Sequence, residues 1–271
     1  MNQIKKHFTG ESFDVVFKNI ATELHQLETM TSPRGQATKE FLNLTMIIED
    51  PTKCVLSSEP RKLSHKYLKA EFDWYLSKER SIEAIKDHSK MWSMIADQHG
   101  QVNSNYGYFA FENLLSDGST QMDWCINSLI DDTDSRQSVM NFNNVSHKVS
   151  NNKDFVCTLS QQFFIRNNEL ISIVNMRSCD LIYGASFDIP YFSFLQQFVF
   201  KSLLNKYPTL KLGKLIHNSG SMHVYERHFE MIKKISETSS TPDSIRLSDV
   251  FGYDQTIQYF NKGKSYVNWP F

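Results

Sequence analysis

The sequence predicts an α+β fold built around one mixed β-sheet covered by helices, in a single domain. Three observations lead there. Runs of helical period and runs of strict alternation are interleaved without regular βαβ order. The chain has 271 residues, 40% of them hydrophobic, enough to bury a sizeable core. No Gly-, Ser- or Pro-rich linker divides it, so one domain over 1–271 is expected.

The elements follow in chain order. Phe13, Val16, Phe17, Ile20, Leu24 and Leu27 recur at helical spacing, which predicts an amphipathic helix over 12–29. A polar loop with Pro and Gly follows. Leu42, Leu44, Met46 and Ile48 alternate with Asn43, Thr45 and Ile47, which predicts a strand over 40–49. Residues 64–78 and 81–96 read as helices, and QHGQVNSNYG breaks the pattern as a loop. CTLSQQFFIR and ELISIVNMR are β-rich runs on either side of Asn167-Asn168. They predict a hairpin, because Asn tolerates the positive φ of a tight turn. Pro190 is expected to open an apolar helix ending near Tyr207-Pro208, since a first helical turn loses little from a missing N–H. KLGKLIHNSG reads as a strand and 225–237 as a helix.

Composition excludes several classes of function. Lys plus Arg is 29 and Asp plus Glu is 30, a net charge of -1, which argues against a broadly basic nucleic-acid binder. A small anion held by a few arginines stays open. No run of 18 apolar residues exists, so no membrane partner is expected, and the N-terminus lacks the apolar segment of a signal peptide. Cys54, Cys125, Cys157 and Cys179 show no CxxC spacing, so neither a zinc site nor a disulfide framework is expected. Four reduced thiols fit a cytoplasmic protein. There is no GxGxxG, P-loop, HExxH or GxSxG. By itself Cys157 reads as a packed thiol and His223 as a structural histidine.

Six strings in order change that reading. AEFDWYLS, MWSMIADQHGQVNSNYG, DDTDSRQ, FVCT, RNNELISIVNMRSCDLIYGASFDIPYFSFL and NSGSMHVYERH together resemble the signature segments of the thymidylate synthase superfamily, over roughly residues 34–230. Within it, NSNYG, VCT and Met176 in VNMRS look like the phage deoxycytidylate hydroxymethylase branch. So does Asp188, which stands where thymidylate synthases carry Asn.

The resemblance implies a thymidylate synthase-like fold, a sheet-to-sheet homodimer and one-carbon transfer from 5,10-methylenetetrahydrofolate to a pyrimidine nucleotide, without a metal. It assigns Cys157 as the nucleophile that adds to carbon 6 of the base. It makes Glu71 the group that orders water and moves protons, and Tyr106 the tyrosine associated with proton removal from carbon 5. Arg34, Arg177, Ser178 and, across the dimer, Arg136 would hold the phosphate; Gln137 replaces the usual second arginine. His223 and Tyr225 match the pair on the ribose 3′-hydroxyl. Trp92, Asp180 and Gly184 match the folate region, with Ile95 replacing a second tryptophan and Thr158 a histidine. The tail YVNWPF departs from the usual closing tail.

Asp188 would read the base. Cytosine presents an N3 acceptor and an amino donor, the reverse of uracil. A carboxyl accepts from the amino group and, when protonated, donates to N3. The resemblance therefore implies hydroxymethylation of dCMP. A dCMP methylase, a dUMP or CMP hydroxymethylase, thymidylate synthase and an inactive nucleotide-binding homologue are the alternatives. A cysteine hydrolase built on Cys157 and His223 lacks local hydrolase signatures.

Overall fold

A computed structural model of the chain describes residues 4–28, 30–239 and 245–266. Seven strands form one mixed sheet: β1 (Ile4–Gly10), β2 (Thr38–Ile48), β3 (Val139–Asn141), β4 (Thr158–Arg166), β5 (Glu169–Met176), β6 (Cys179–Asp180) and β7 (Lys211–Tyr225). Their order is β1-β2-β7-β5-β4-β3, with β6 paired to β7. The β1–β2, β5–β7 and β6–β7 pairs are parallel and the rest antiparallel. The helices are α1 (Phe13–Gln26), α2 (His65–Tyr75), α3 (Lys90–Ile95), α4 (Tyr106–Phe111), α5 (Gln121–Asp131), α6 (Ser186–Leu203), α7 (Phe229–Glu237), α8 (Leu247–Phe251) and α9 (Tyr253–Lys264).

The expected helix over 12–29, the strand over 40–49 and the helix over 64–78 are present as α1, β2 and α2. The hairpin is β4–β5, with Asn167 and Asn168 both at positive φ (52° and 61°), the geometry of a two-residue type I′ turn.

Other expectations are corrected. Of the helix expected over 81–96, Lys90–Ile95 is helical. Residues 80–82 instead bond across to 100–102: Ile82 N donates to Gly100 O at 3.0 Å and Val102 N to Arg80 O at 3.0 Å. Ile82 and Ile85 bury their side chains from successive turns. Pro190 does not open its helix. A single π-helical turn over Leu181–Ala185 leads directly into α6, which starts four residues before the proline. Pro190 is tolerated there because only the first carbonyl of α6, that of Ser186, loses its partner. That helix ends at Leu203, and a turn carries the chain to Tyr207, whose N–H donates to Leu203 O at 2.8 Å. The expected strand over 211–220 continues to Tyr225, and α7 begins at Phe229 rather than 225.

The sheet buries one face. Leu44, Met46, Leu170, Val174, Phe163 and Leu215 point into the core. Helix α6 lies among buried side chains and is tied to the sheet by Gln196, whose Nε2 donates to Leu170 O and Gly213 O, each at 3.0 Å. On the opposite face the strands carry half-exposed residues in cross-strand rows. One row is Ile47–Ile216–Ile173–Gln162. The next is a hydrogen-bonded ladder: Thr45 Oγ1 donates to Asn218 Oδ1 at 2.8 Å, Asn218 Nδ2 to Asn175 Oδ1 at 3.1 Å, and Asn175 Nδ2 to Ser160 Oγ at 3.3 Å.

Candidate active site

The four thiols differ by environment. Cys54, Cys125 and Cys179 are buried, and burial pushes the first two up to about 12 and the third well above its ordinary value. Cys157 is half-buried, just ahead of β4. Arg177, just past β5, is bound to the same segment: its N–H donates to Cys157 O at 2.9 Å, and its Nε to Val156 O at 3.2 Å. Its Nη2 donates to Phe155 O and approaches Cys157 Sγ at 3.4 Å. The guanidinium also lies over the Phe155 ring, 4.9 Å from its centroid. Burial still raises the Cys157 thiol; Arg177 and Arg34 oppose that, while Asp188 and Asp154 add to it. Gly220 allows this arrangement, because a Cβ there would sit 2.7 Å from Arg177 O.

Glu71 and Asp188 are acidic groups facing a shared interior. Glu71 lies on α2 and is 4% exposed. Burial and the neighbouring Asp188 push its carboxyl up to about 8, against a hydrogen bond from Tyr67. Asp188, in the first turn of α6, is pushed up to about 7 by burial and by Asp180. Its Oδ2 would lie 3.5 Å from a Cβ placed on Gly184. Both carboxyls therefore titrate near neutrality, the range in which a carboxyl can act as acid or base.

Tyr106 begins α4, capped by Asn105, whose side chain accepts from Tyr108 N. It is buried and stacks on Tyr75 with ring centroids 5.4 Å apart. The close approach of α4 to α2 requires Gly107, where a Cβ would fall 1.7 Å from Tyr75 O. Burial, Asp188 and Cys157 all push the Tyr106 hydroxyl well above its ordinary value.

His223 and Tyr225 lie on β7 with rings edge-on, centroids 5.1 Å apart. The His223 Nδ1 is buried without a hydrogen-bond partner, and burial lowers the ring's basicity. Asp180 sits opposite His223 in the β6–β7 pair, and its Oδ1 accepts from Ile182 N at 2.8 Å. Ser178 is half-buried between Arg177 and β6.

Arg34 is exposed, in left-handed backbone (φ 53°), and its charge reaches Cys157. Arg136 is exposed, and its carbonyl accepts from Gln162 Nε2 at 2.8 Å, which places it at the open sheet face. The structure does not bring Arg136 to Cys157 within one chain. Gln137 uses its carbonyl to accept from Trp124 Nε1 at 2.7 Å. Of the tail YVNWPF, Tyr266 is described and donates through its hydroxyl to Leu76 O at 3.0 Å, while residues 267–271 lie outside the described residues.

Sequence reasoning missed three side chains. Tyr67 Oη donates to Glu71 Oε1 at 2.9 Å and accepts from Trp92 Nε1 at 3.0 Å. The i,i+4 spacing of Tyr67 and Glu71 on a helix was a readable signal. Arg61 is buried, donates through Nε to Ile182 O at 2.8 Å and lies against Tyr183 and Phe187. Asp154 accepts from Asn103 N at 2.6 Å and Ser104 N at 2.7 Å, joining the segment before Cys157 to the loop before Tyr106. Nothing local in the sequence marks the last two.

Tyr183 is 51% exposed beside the Arg61 guanidinium and next to Gly184, with Asp180 and buried Trp92 nearby in the fold. Among the described residues no group of His, Cys, Asp or Glu converges as a metal site, and no helix is long and apolar enough to cross a membrane.

A nucleophile candidate beside a guanidinium, two near-neutral carboxyls and a buried imidazole share one end of a mixed sheet. The thymidylate synthase family model matches residues 20–256, and the chain belongs to that family. Its members transfer a one-carbon unit with methylenetetrahydrofolate as co-substrate. Similar curated proteins include the deoxycytidylate 5-hydroxymethyltransferases of Enterobacteria phages T6, T4 and T2. They are 29%, 28% and 28% identical to this chain, and each alignment covers 82% of this chain and 90% of the relative.

Proposed function

We propose that this chain is a deoxycytidylate 5-hydroxymethyltransferase, acting as one catalytic domain within a homodimer in the cytoplasm (the host's, if phage-encoded). The observation that carries the base assignment is Asp188, a carboxyl pushed up to about 7 at the position where thymidylate synthases carry Asn. Near neutrality it can hold the proton that cytosine N3 requires while accepting from the amino group. A uracil in its place would leave a buried donor and acceptor unmatched, which discriminates strongly.

In this reading Arg34, Arg177, Ser178 and the partner subunit's Arg136 hold the phosphate, and His223 and Tyr225 hold the deoxyribose. Cys157 adds to carbon 6 as its thiolate, helped by Arg177 and Arg34. That addition makes carbon 5 nucleophilic. The folate co-substrate, against Trp92, Asp180 and Gly184, supplies the one-carbon unit at the oxidation level of formaldehyde. Loss of the carbon 5 proton, by which Tyr106 stands, with departure of tetrahydrofolate would leave an exocyclic methylene on the base. Glu71 positions and deprotonates the water that adds to it, and the Cys157–carbon 6 bond then breaks to restore the pyrimidine and the thiolate. The isoleucine row on the open sheet face supports a sheet-to-sheet dimer, which would bring Arg136 to its neighbour's site.

Tritium at carbon 5 of dCMP and of dUMP tests this reading. With methylenetetrahydrofolate the chain should release tritium from dCMP at least about 100-fold faster than from dUMP, as expected when the wrong base leaves buried polar groups unpaired. Release from dUMP alone would overturn the base assignment.

A further inference from the structure

The two oxygens of Glu71 are not equivalent. Trp92 Nε1 donates to Tyr67 Oη at 3.0 Å, and Tyr67 Oη meets Glu71 Oε1 at 2.9 Å. An indole N–H donates and cannot accept, so the direction of the first bond is fixed. The Tyr67 oxygen receives that hydrogen, and its own single hydrogen points to Glu71. Because Tyr67 donates it, Oε1 is the acceptor of this bond, which leaves Oε2 as the oxygen to carry a proton.

We infer that Tyr67, oriented by Trp92, confines the Glu71 proton to Oε2 and is a positioning residue for proton transfer at this carboxyl. The inference rests on reading Glu71 as the acid–base group. Tyr67 has little freedom to do otherwise. Its ring lies edge-on to Phe187, with centroids 4.7 Å apart, and the Trp92 ring packs on Trp74 at 4.6 Å. A proton held at one oxygen leaves in one direction, which suits placing a single water against a substrate carbon. The same bond strengthens when Glu71 is ionised, because a hydrogen bond to a charged acceptor is the stronger one.

The titratable groups facing Glu71 are few. Helix α2 contributes Tyr67 and Tyr75, and α6 contributes Asp188. Trp92, from α3, carries no charge. Burial and Asp188 disfavour the carboxylate, and Tyr67 favours it through its hydrogen bond. Removing that hydroxyl must therefore raise the midpoint at which Glu71 ionises.

Infrared difference titration of the whole chain reads this directly. The carbonyl stretch of protonated Glu71 is assigned by its loss in Glu71→Gln. In Tyr67→Phe the midpoint should rise by about one pH unit, the worth of one charge-assisted hydrogen bond. The acid limb of the kcat profile for dCMP should move with it, while KM for dCMP stays within about twofold. A folded Tyr67→Phe chain with an unmoved midpoint would overturn the inference, since a purely structural tyrosine changes melting temperature and not this titration. If that variant does not fold, 3-fluorotyrosine at position 67, a stronger donor, must lower the midpoint, and no shift there also overturns it. Wild-type chain that turns over neither dCMP nor dUMP would defeat the functional reading, yet the titration would still decide the role of Tyr67.

Discussion

Cys157 and Arg177 form the local unit on which the proposed chemistry depends. Burial holds the thiols of Cys54, Cys125 and Cys179 above their ordinary value, so alkylation at pH 8 should modify Cys157 first, as peptide mapping would show. Arg177→Ala removes the nearest positive charge, and iodoacetamide modification should slow by about tenfold, the effect of one pH unit on the thiolate fraction. An unchanged rate would mean that Arg177 does not support the thiolate. Asp188→Asn should shift preference toward dUMP, because the amide matches uracil's donor and acceptor. Base preference measured by competition would stay unchanged if Asp188 did not read the base. Cys157, Asp188 and His223 were legible through ordered motifs. Tyr67 was readable in principle from its i,i+4 spacing to Glu71, whereas Arg61 and Asp154 were not, because Ile182 and Ser104 become their neighbours only through long-range folding.

Helices α2 and α6 carry the acidic pair, and their packing has an energetic signature. Glu71 has a folded value of about 8 against an ordinary 4.5. Between those values the folded chain holds a proton that the unfolded chain has released, so stability falls as pH rises through this window and levels off above it. Glu71→Gln keeps the Tyr67 bond and removes the charge. It should melt higher than wild type at pH 8.5, by up to about 5 kcal/mol in stability, with the gap closing near pH 4.5. Equal melting at both pH values would contradict the burial of a charged Glu71. At the α2–α4 crossing, Gly107→Ala should cost about 3 kcal/mol or more, because the added methyl meets the Tyr75 carbonyl oxygen rather than a movable side chain. Denaturant titration measures it. Elements with strong local pattern, such as α1, β2 and the Asn167-Asn168 hairpin, were readable from residue spacing. The turns at 81–88 and the π-turn before α6 were not. Their hydrogen bonds run to Gly100 and Val102 in one case, and in the other Asp180 caps the turn that delivers Asp188.

The whole molecule joins a one-sided sheet to a site assembled at one end of its strands. Its open face combines the Ile47–Ile216–Ile173 row with the Thr45–Asn218–Asn175–Ser160 ladder, a patterned surface suited to self-association. Light scattering should give twice the chain mass, and Ile173→Asp should give monomer with little turnover, since Arg136 would no longer reach a second site. A monomeric wild-type chain with full activity would refute the dimer. The mixed α+β class was visible in the sequence because helical and alternating periods interleave. The order β1-β2-β7-β5-β4-β3 was not, because β7 inserts between β2 and β5 through contacts far apart in sequence. The most direct measurement is the mass spectrum of the nucleotide formed from dCMP and methylenetetrahydrofolate. The proposed chemistry yields 5-hydroxymethyl-dCMP with tetrahydrofolate; a methylated nucleotide with dihydrofolate, or a product from dUMP alone, would contradict it.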